Sequence, residues 1–75
     1  MKPEEIRATR EKFELDRNEF AEVFGLSSYN SVSNIELGHR NPNKLLIIIL
    51  KTLNGLSKSK AYELIALMRK HAERK

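Results

Sequence analysis

The stretch that decides the fold is DRNEFAEVFGLSSYNSVSNIELGHRNP, residues 16–42. Asp16 and Glu19 have the spacing of a capping box, in which each side chain accepts a hydrogen bond from a backbone N–H at the start of a helix. Gly25 is placed to end that helix in the left-handed conformation. A second helix is predicted over about residues 29–37, with small, polar side chains on its outer face. Two short helices joined by a tight turn form a helix-turn-helix, and a second helix this slender fits a DNA major groove.

The rest of the chain predicts three further helices and no strand. One begins near Pro3, a residue suited to a first helical turn. One follows the cap residue Asn43 and runs over about residues 44–53, and the last covers about residues 58–72 after Ser57. We therefore expect a single all-α domain of five helices, close to the lower size limit for a self-sufficient core.

The fourth helix bears on the oligomeric state, because it is apolar on nearly all sides. Its main stripe is Leu45, Leu46, Ile49, Leu50 and Leu53. Ile47 and Ile48 fall on the opposite side. The fifth helix offers a covering stripe made of Ala61, Leu64, Ile65, Leu67, Met68 and Ala72. We predict that these two helices, about residues 44–72, also form a homodimer interface through Ile47, Ile48 and Leu67; the alternative is a compact monomer that uses this surface internally.

Charge is distributed unevenly along the chain. Residues 1–37 carry five Lys or Arg and eight Asp or Glu, a net of −3, whereas residues 38–75 carry nine and two, a net of +7, which gives the overall +4. A basic half favours a polyanionic partner, although the total charge alone is also compatible with ordinary solubility.

Composition argues against several other classes of protein. There is no cysteine, and His39 and His71 lie far apart without acidic neighbours, so we expect no disulfide, metal or other cofactor. The first residues lack the apolar segment of a secretion signal, and the longest apolar run, residues 45–50, is too short to span a bilayer. We expect a cytoplasmic protein with no membrane partner. No paired carboxylates, phosphate loop or enclosed substrate site is evident, so we do not expect an enzyme.

Six motifs occur in a recognisable order: residues 6–10 (IRATR), 15–21 (LDRNEFA), 25–27 (GLS), 32–36 (VSNIE), 38–42 (GHRNP) and 55–57 (GLS). With this order and spacing, residues 6–56 resemble the phage repressor and Cro-like helix-turn-helix domains, the Xre-type group of bacterial and phage regulators. The resemblance implies a lambda-repressor-like fold of five helices, usually dimeric, that binds a palindromic operator in double-stranded DNA and most often represses transcription. It also implies an ion pair between Arg10 of the first helix and Glu36 of the third.

The chain departs from the pattern of this family at three places. Arg17 stands where glutamine is usual at the start of the second helix, and arginine can hold a phosphate with a full charge. The segment 27–31 is about one residue longer than the usual turn, which shifts the start of the third helix. Glu14 replaces a common glycine after the first helix, so that turn needs either another geometry or a strained residue.

Within the third helix we expect Tyr29, Asn30, Ser31 and Asn34 to reach base edges. Asparagine can pair with adenine, and without an arginine here the commonest guanine contact is missing, so we expect A·T-containing steps to be read. Ser33 lies at the flank of this face and is expected to touch the DNA backbone.

Three cations flank the predicted reading helix, and we expect them to contact phosphates: Arg17, Arg40 and Lys44. Most of the affinity would come from such contacts.

Two functions remain open. The first is a sequence-specific transcription regulator, most simply a dimeric repressor of its own or a neighbouring promoter. The second is a protein-interaction module, or an antitoxin, that reuses the fold. The acidic first and second helices and the uncharged recognition helix would favour the second.

Overall fold

The computed structural model describes residues 1–72, and its elements are five α-helices without a strand among those residues. They are α1 (Pro3–Lys12), α2 (Arg17–Val23), α3 (Tyr29–Glu36), α4 (Lys44–Gly55) and α5 (Lys58–Ala72). The prediction of an all-α chain with five helices is confirmed. The predicted ends are close to the observed ones; α4 runs farther than expected, to Gly55.

The predicted caps set the helix starts around α2. The Asp16 carboxylate accepts from the Glu19 N–H at 2.8 Å, and the Glu19 carboxylate accepts from the Asp16 N–H at 2.9 Å. Asn43 Oδ1 accepts from the Leu46 N–H at 2.8 Å at the start of α4. Gly25 ends the α2 segment with a φ of 72°, a left-handed conformation that costs glycine little.

The turn between α1 and α2 contains a strained residue, one of the two possibilities that the sequence left open. Glu14 has a φ of 58°, where a side chain is unfavourable. The turn is closed on both sides of it, because the Glu14 N–H donates to the Glu11 carbonyl and the Leu15 N–H donates to the Arg10 carbonyl. This turn brings Leu15 into the core.

All five helices contribute to one hydrophobic core. Its largest fully buried side chains are Phe20, Ile6, Leu50, Leu53 and Val32, from α1 to α4. From α5, Ala61 and Ile65 join the same cluster. α3 packs against α1 and α2, and α5 packs against α2 and α4. The helix that carries the candidate site therefore rests on two others.

Part of the predicted apolar surface lies outside the core. Leu45 belongs to the main apolar stripe of α4, and it is 65% exposed. Leu64 belongs to the stripe of α5 that could cover α4, and it is 38% exposed. Within the described chain α5 packs against α2 as well as α4, and the buried stripe of α4 consists of Leu46, Leu50 and Leu53.

The three proposed interface residues differ in exposure. Ile48 is 49% exposed and Leu67 is 52% exposed, so both can meet a second chain. Ile47 is half-buried, so it offers less surface to a partner than the sequence suggested.

Polar contacts join the outer helices to the core helices. The Asn54 amide donates to Thr9 Oγ1 at 3.1 Å and ties α4 to α1. The Tyr62 hydroxyl donates to the Lys12 carbonyl at 2.9 Å, and Arg69 pairs with Glu19 across α5 and α2. Within residues 1–72, no helix combines the length and apolarity needed to cross a bilayer.

Candidate nucleic-acid interface

α3 has one buried and one exposed face. Ser31, Val32 and Ile35 point into the protein. The exposed face carries Tyr29, Asn30, Asn34 and Leu37, with Ser33 half-buried among them. Four of the five residues predicted to face DNA from α3 are thus at least partly exposed together.

Ser31 is the exception and does not belong to this face. It is 7% exposed, and its Oγ lies 2.7 Å from Ser27 Oγ across the start of α3. Position 31 lies on the buried side of α3, next to Val32. The expectation that Ser31 reads bases is therefore wrong; its hydroxyl stabilises the turn.

The ion pair between Arg10 and Glu36 is present and buried. Arg10 Nε donates to Glu36 Oε2 at 2.6 Å, and Arg10 Nη2 donates to Glu36 Oε1 at 3.3 Å. Arg10 Nη1 also donates to the Leu15 carbonyl at 2.9 Å. The Glu36 side chain is only 2% exposed. The bidentate contact with Glu36 fixes the end of α3 to α1, and the hydrogen bond to the Leu15 carbonyl joins Arg10 to the turn that precedes α2.

Arg17 has partners that the sequence did not predict. Its Nε donates to Glu36 Oε1 at 3.2 Å, its Nη1 donates to the Tyr29 hydroxyl at 3.3 Å, and its guanidinium carbon lies 5.7 Å from the centre of the Tyr29 ring. The hydrogen bond with Tyr29 and the one with Glu36 raise the pKa of Arg17 above its ordinary value. One signal was available in the sequence: Tyr29 and Glu36 are seven residues apart, so they lie on the same side of a helix.

The buried position of Glu36 also determines the charge of the exposed face. It is the acidic residue of α3, and its carboxylate is covered by two arginines. Glu19 of α2 is likewise paired, with Arg69. The exposed face of α3 is therefore uncharged, and two arginines around a single carboxylate leave a surplus positive charge beside it.

Two further cations follow α3 in the chain. Arg40 and Lys44 are exposed, and neither forms an ion pair with any residue from 1 to 72. The His39 and Arg40 N–H groups both donate to the Asn34 carbonyl, at 2.9 and 3.2 Å, so this loop folds back onto α3. It forms one wall of a shallow polar recess whose lining includes Ser27, Ser31, Arg40, Asn41 and Asn43.

The other features of the described residues make weaker candidate sites. No group of three or more His, Asp or Glu side chains in residues 1–72 is placed to hold a metal ion. The shallow apolar groove beside Phe13, Leu15 and Tyr62 is open to solvent along α5. The exposed face of α3 with its flanking cations is the most complete candidate site.

Comparison with known proteins adds no relative: no protein-family model, no curated protein and no solved structure matches this chain.

Proposed function

We propose that α2 and α3 form a helix-turn-helix of the lambda-repressor type and that the chain is a sequence-specific, double-stranded-DNA-binding regulator of transcription. It acts as a homodimeric repressor of its own or a neighbouring promoter, in the cytoplasm, where bacterial and phage DNA is read. The observation that carries the proposal is the exposed, uncharged face of α3, with Arg17 held alongside the helix by Glu36 and Tyr29 and with Arg40 and Lys44 exposed in the segment that follows it. An acidic side chain on that face would repel phosphates, and the burial of Glu36 removes the one that α3 carries.

Asn30 and Asn34 are the proposed base-reading residues. They are four residues apart on the exposed face of α3, so their side chains project in the same direction from successive turns. An asparagine amide can donate to and accept from the major-groove edge of adenine. Ser33 lies between them and is half-buried, which suits a contact with the sugar-phosphate backbone.

Arg17, Arg40 and Lys44 are the proposed phosphate contacts. Arg17 lies along one side of α3, since it contacts both Tyr29 and Glu36, and Arg40 and Lys44 are exposed in the segment after α3, so phosphates can be held from beside the helix and from the segment that follows it. If a dimer neutralises about six phosphates, the slope of log affinity against log salt is near −5.

The homodimer is supported by apolar surface on α4 and α5. Leu45, Ile48, Leu64 and Leu67 are between 38% and 65% exposed. Leu45 and Ile48 share one side of α4, and Leu64 and Leu67 share one side of α5, since each pair is three residues apart; a contiguous exposed apolar patch marks an interaction surface. Two-fold pairing would place successive half-sites about 34 Å apart along the operator.

A second candidate is a protein-interaction module, which includes an antitoxin. Leu37 favours it, because this leucine is 67% exposed at the end of α3 and adjoins the proposed reading face. On DNA the same side chain would have to pack against a thymine methyl group.

Selection from randomised duplexes, followed by a salt titration on the selected and on a random duplex, tests the proposal. We expect a two-fold symmetric consensus containing A·T steps and a steep loss of affinity with salt for both duplexes. A flat response at low salt, with no sequence enriched, would reject DNA binding and leave the interaction module.

A further inference from the structure

A chain of contacts along one side of α3 joins three helices and ends at the proposed DNA surface. Arg10 of α1 and Arg17 of α2 share the carboxylate of Glu36, and Arg17 then reaches the Tyr29 hydroxyl. The Glu36 side chain is 2% exposed, the Arg17 side chain is 30% exposed and Tyr29 is 45% exposed. From Glu36 to Tyr29 the contacts therefore approach solvent.

We infer that Arg17 and Tyr29 act together as one phosphate-binding unit, and that Tyr29 contacts the DNA backbone and does not read a base. The inference rests on the proposed function. It assigns sequence discrimination in α3 to Asn30 and Asn34, and it gives Tyr29 a role that does not depend on sequence.

Hydrogen-bonding capacity supports this assignment. Arg17 Nη1 donates to the Tyr29 oxygen, so that oxygen acts as an acceptor and its own hydrogen is left to donate outward. Arg17 uses Nε on Glu36 and Nη1 on Tyr29, and the hydrogens of Nη2 remain available. The hydroxyl and the guanidinium are 3.3 Å apart, a separation that lets one phosphate group accept from both.

Charge and ring geometry support it as well. Glu36 is shared by two arginines, and the surplus charge lies on the more exposed one, Arg17, whose side chain is 30% exposed against 10% for Arg10. The guanidinium also lies against the Tyr29 ring at 5.7 Å. These contacts hold the ring toward α2, at the edge of the reading face, whereas Asn30 and Asn34 have no such tether in the described residues.

The test compares Tyr29→Phe, Arg17→Gln and the double variant on a selected duplex and on random duplexes, with Tyr62→Phe as a matched control. The Tyr62 hydroxyl donates to the Lys12 carbonyl, away from α3, so its loss should leave DNA binding unchanged. We expect Tyr29→Phe to weaken binding about 10-fold on every duplex without changing the order of base preference, because one hydrogen bond to a charged group is lost. The double variant should bind no more weakly than Arg17→Gln alone, since the hydroxyl is oriented by Arg17.

Other outcomes separate this inference from the proposed function. Salt-dependent binding by the wild-type chain, combined with a changed base preference in Tyr29→Phe, would make Tyr29 a reader and overturn the inference alone. Unchanged affinity in Tyr29→Phe, or strictly additive losses in the double variant, would overturn it as well. Failure of the wild-type chain to bind any duplex at low salt would overturn both.

Discussion

Glu14 occupies a backbone conformation that suits glycine. Its φ of 58° is imposed by the turn that brings Leu15 under the core and places Arg10 beside Glu36. A side chain in the left-handed region costs about 1–2 kcal/mol, and part of the gain from removing it is offset by the greater freedom of glycine in the unfolded chain. The strain at Glu14 is therefore a local cost of the geometry that builds the site.

Replacing Glu14 with glycine should raise the free energy of unfolding by about 0.5–1 kcal/mol, because the strain is relieved. Urea denaturation followed by circular dichroism measures it. Glu14→Ala keeps the Cβ atom and serves as the control, with stability within about 0.5 kcal/mol of wild type. A glycine variant less stable than the alanine variant would show that position 14 is not strained.

Asn34 allows base recognition to be tested separately from general affinity for DNA. Its backbone carbonyl accepts from the loop, while its side chain is exposed, so Asn34→Ala should leave the fold intact. We expect the preference for a selected operator over random duplexes to fall by about 1–3 kcal/mol, with little change on random duplexes. Competition titrations on both duplexes measure this. Equal losses on the two would remove Asn34 from the readers.

At the scale of the elements, local signals predicted most of the architecture. Asp16, Glu19 and Asn43 predict helix starts, because their side chains can hydrogen-bond to backbone groups three residues away. The structure contains each of these hydrogen bonds. The Arg10–Glu36 pair, implied by family resemblance, is also present. Such features need little knowledge of how the helices pack.

Features that depend on the exact rotation of a helix were harder to predict. Ser31 lies on the buried side of α3, and the sequence did not predict this because a shift of one residue in the start of a helix rotates its side chains by about 100°. The contact of Arg17 with Tyr29 depends on the final positions of α2 and α3, and the exposure of Leu45 depends on how α4 packs against its neighbours. The sequence therefore predicted the candidate face of α3, but it did not determine which residues lie at the edges of that face.

The Glu36 ion pairs connect three helices, and their removal should be costly. In Glu36→Gln, Arg10 keeps its buried position without a full countercharge, and we expect a loss of about 3 kcal/mol in the free energy of unfolding. Chemical denaturation measures this loss. The comparison variant is Glu11→Gln, which breaks the exposed Arg7–Glu11 pair together with a 3.9 Å contact between Glu11 and Arg10, and it should cost about 1 kcal/mol or less because Glu11 is exposed. Similar losses in both variants would mean that burial of Glu36 adds nothing.

Arg40 and Lys44 are the proposed phosphate contacts in the segment that follows α3. Each is exposed and forms no ion pair within residues 1–72, so Arg40→Ala and Lys44→Ala should leave stability nearly unchanged. Each should weaken binding to all duplexes alike and reduce the salt slope by about 1 per DNA-bound site. Anisotropy titrations over a range of salt concentrations measure the slope. The control is Lys60→Ala on α5, away from the proposed DNA interface. If Arg40→Ala had the same salt slope as the wild-type chain, Arg40 would be excluded as a phosphate contact.

At the scale of the whole molecule, two surfaces remain without a partner within the described chain. One is the face of α3 with its cations, and the other is the aliphatic surface on α4 and α5. A repressor needs both, because a single reading helix contacts only one half-site and a pair related by two-fold symmetry contacts two. The coexistence of these surfaces links the proposed DNA binding to the oligomeric state.

Ile48→Glu tests that link. Ile48 is 49% exposed in the single chain, so a carboxylate there can stay solvated and the fold should persist, whereas a dimer that buries position 48 would have to remove the carboxylate from water. We expect sedimentation to show a dimer for the wild-type chain and a monomer for the variant, with operator affinity falling toward that for random DNA.

Leu37→Glu changes a leucine that is 67% exposed but lies on α3, and it should leave the dimer intact in the absence of DNA. A wild-type chain that sediments as a monomer at every concentration would exclude the dimer. Operator binding by such a monomer would then have to use one half-site at a time, so the selected consensus should lose its two-fold symmetry.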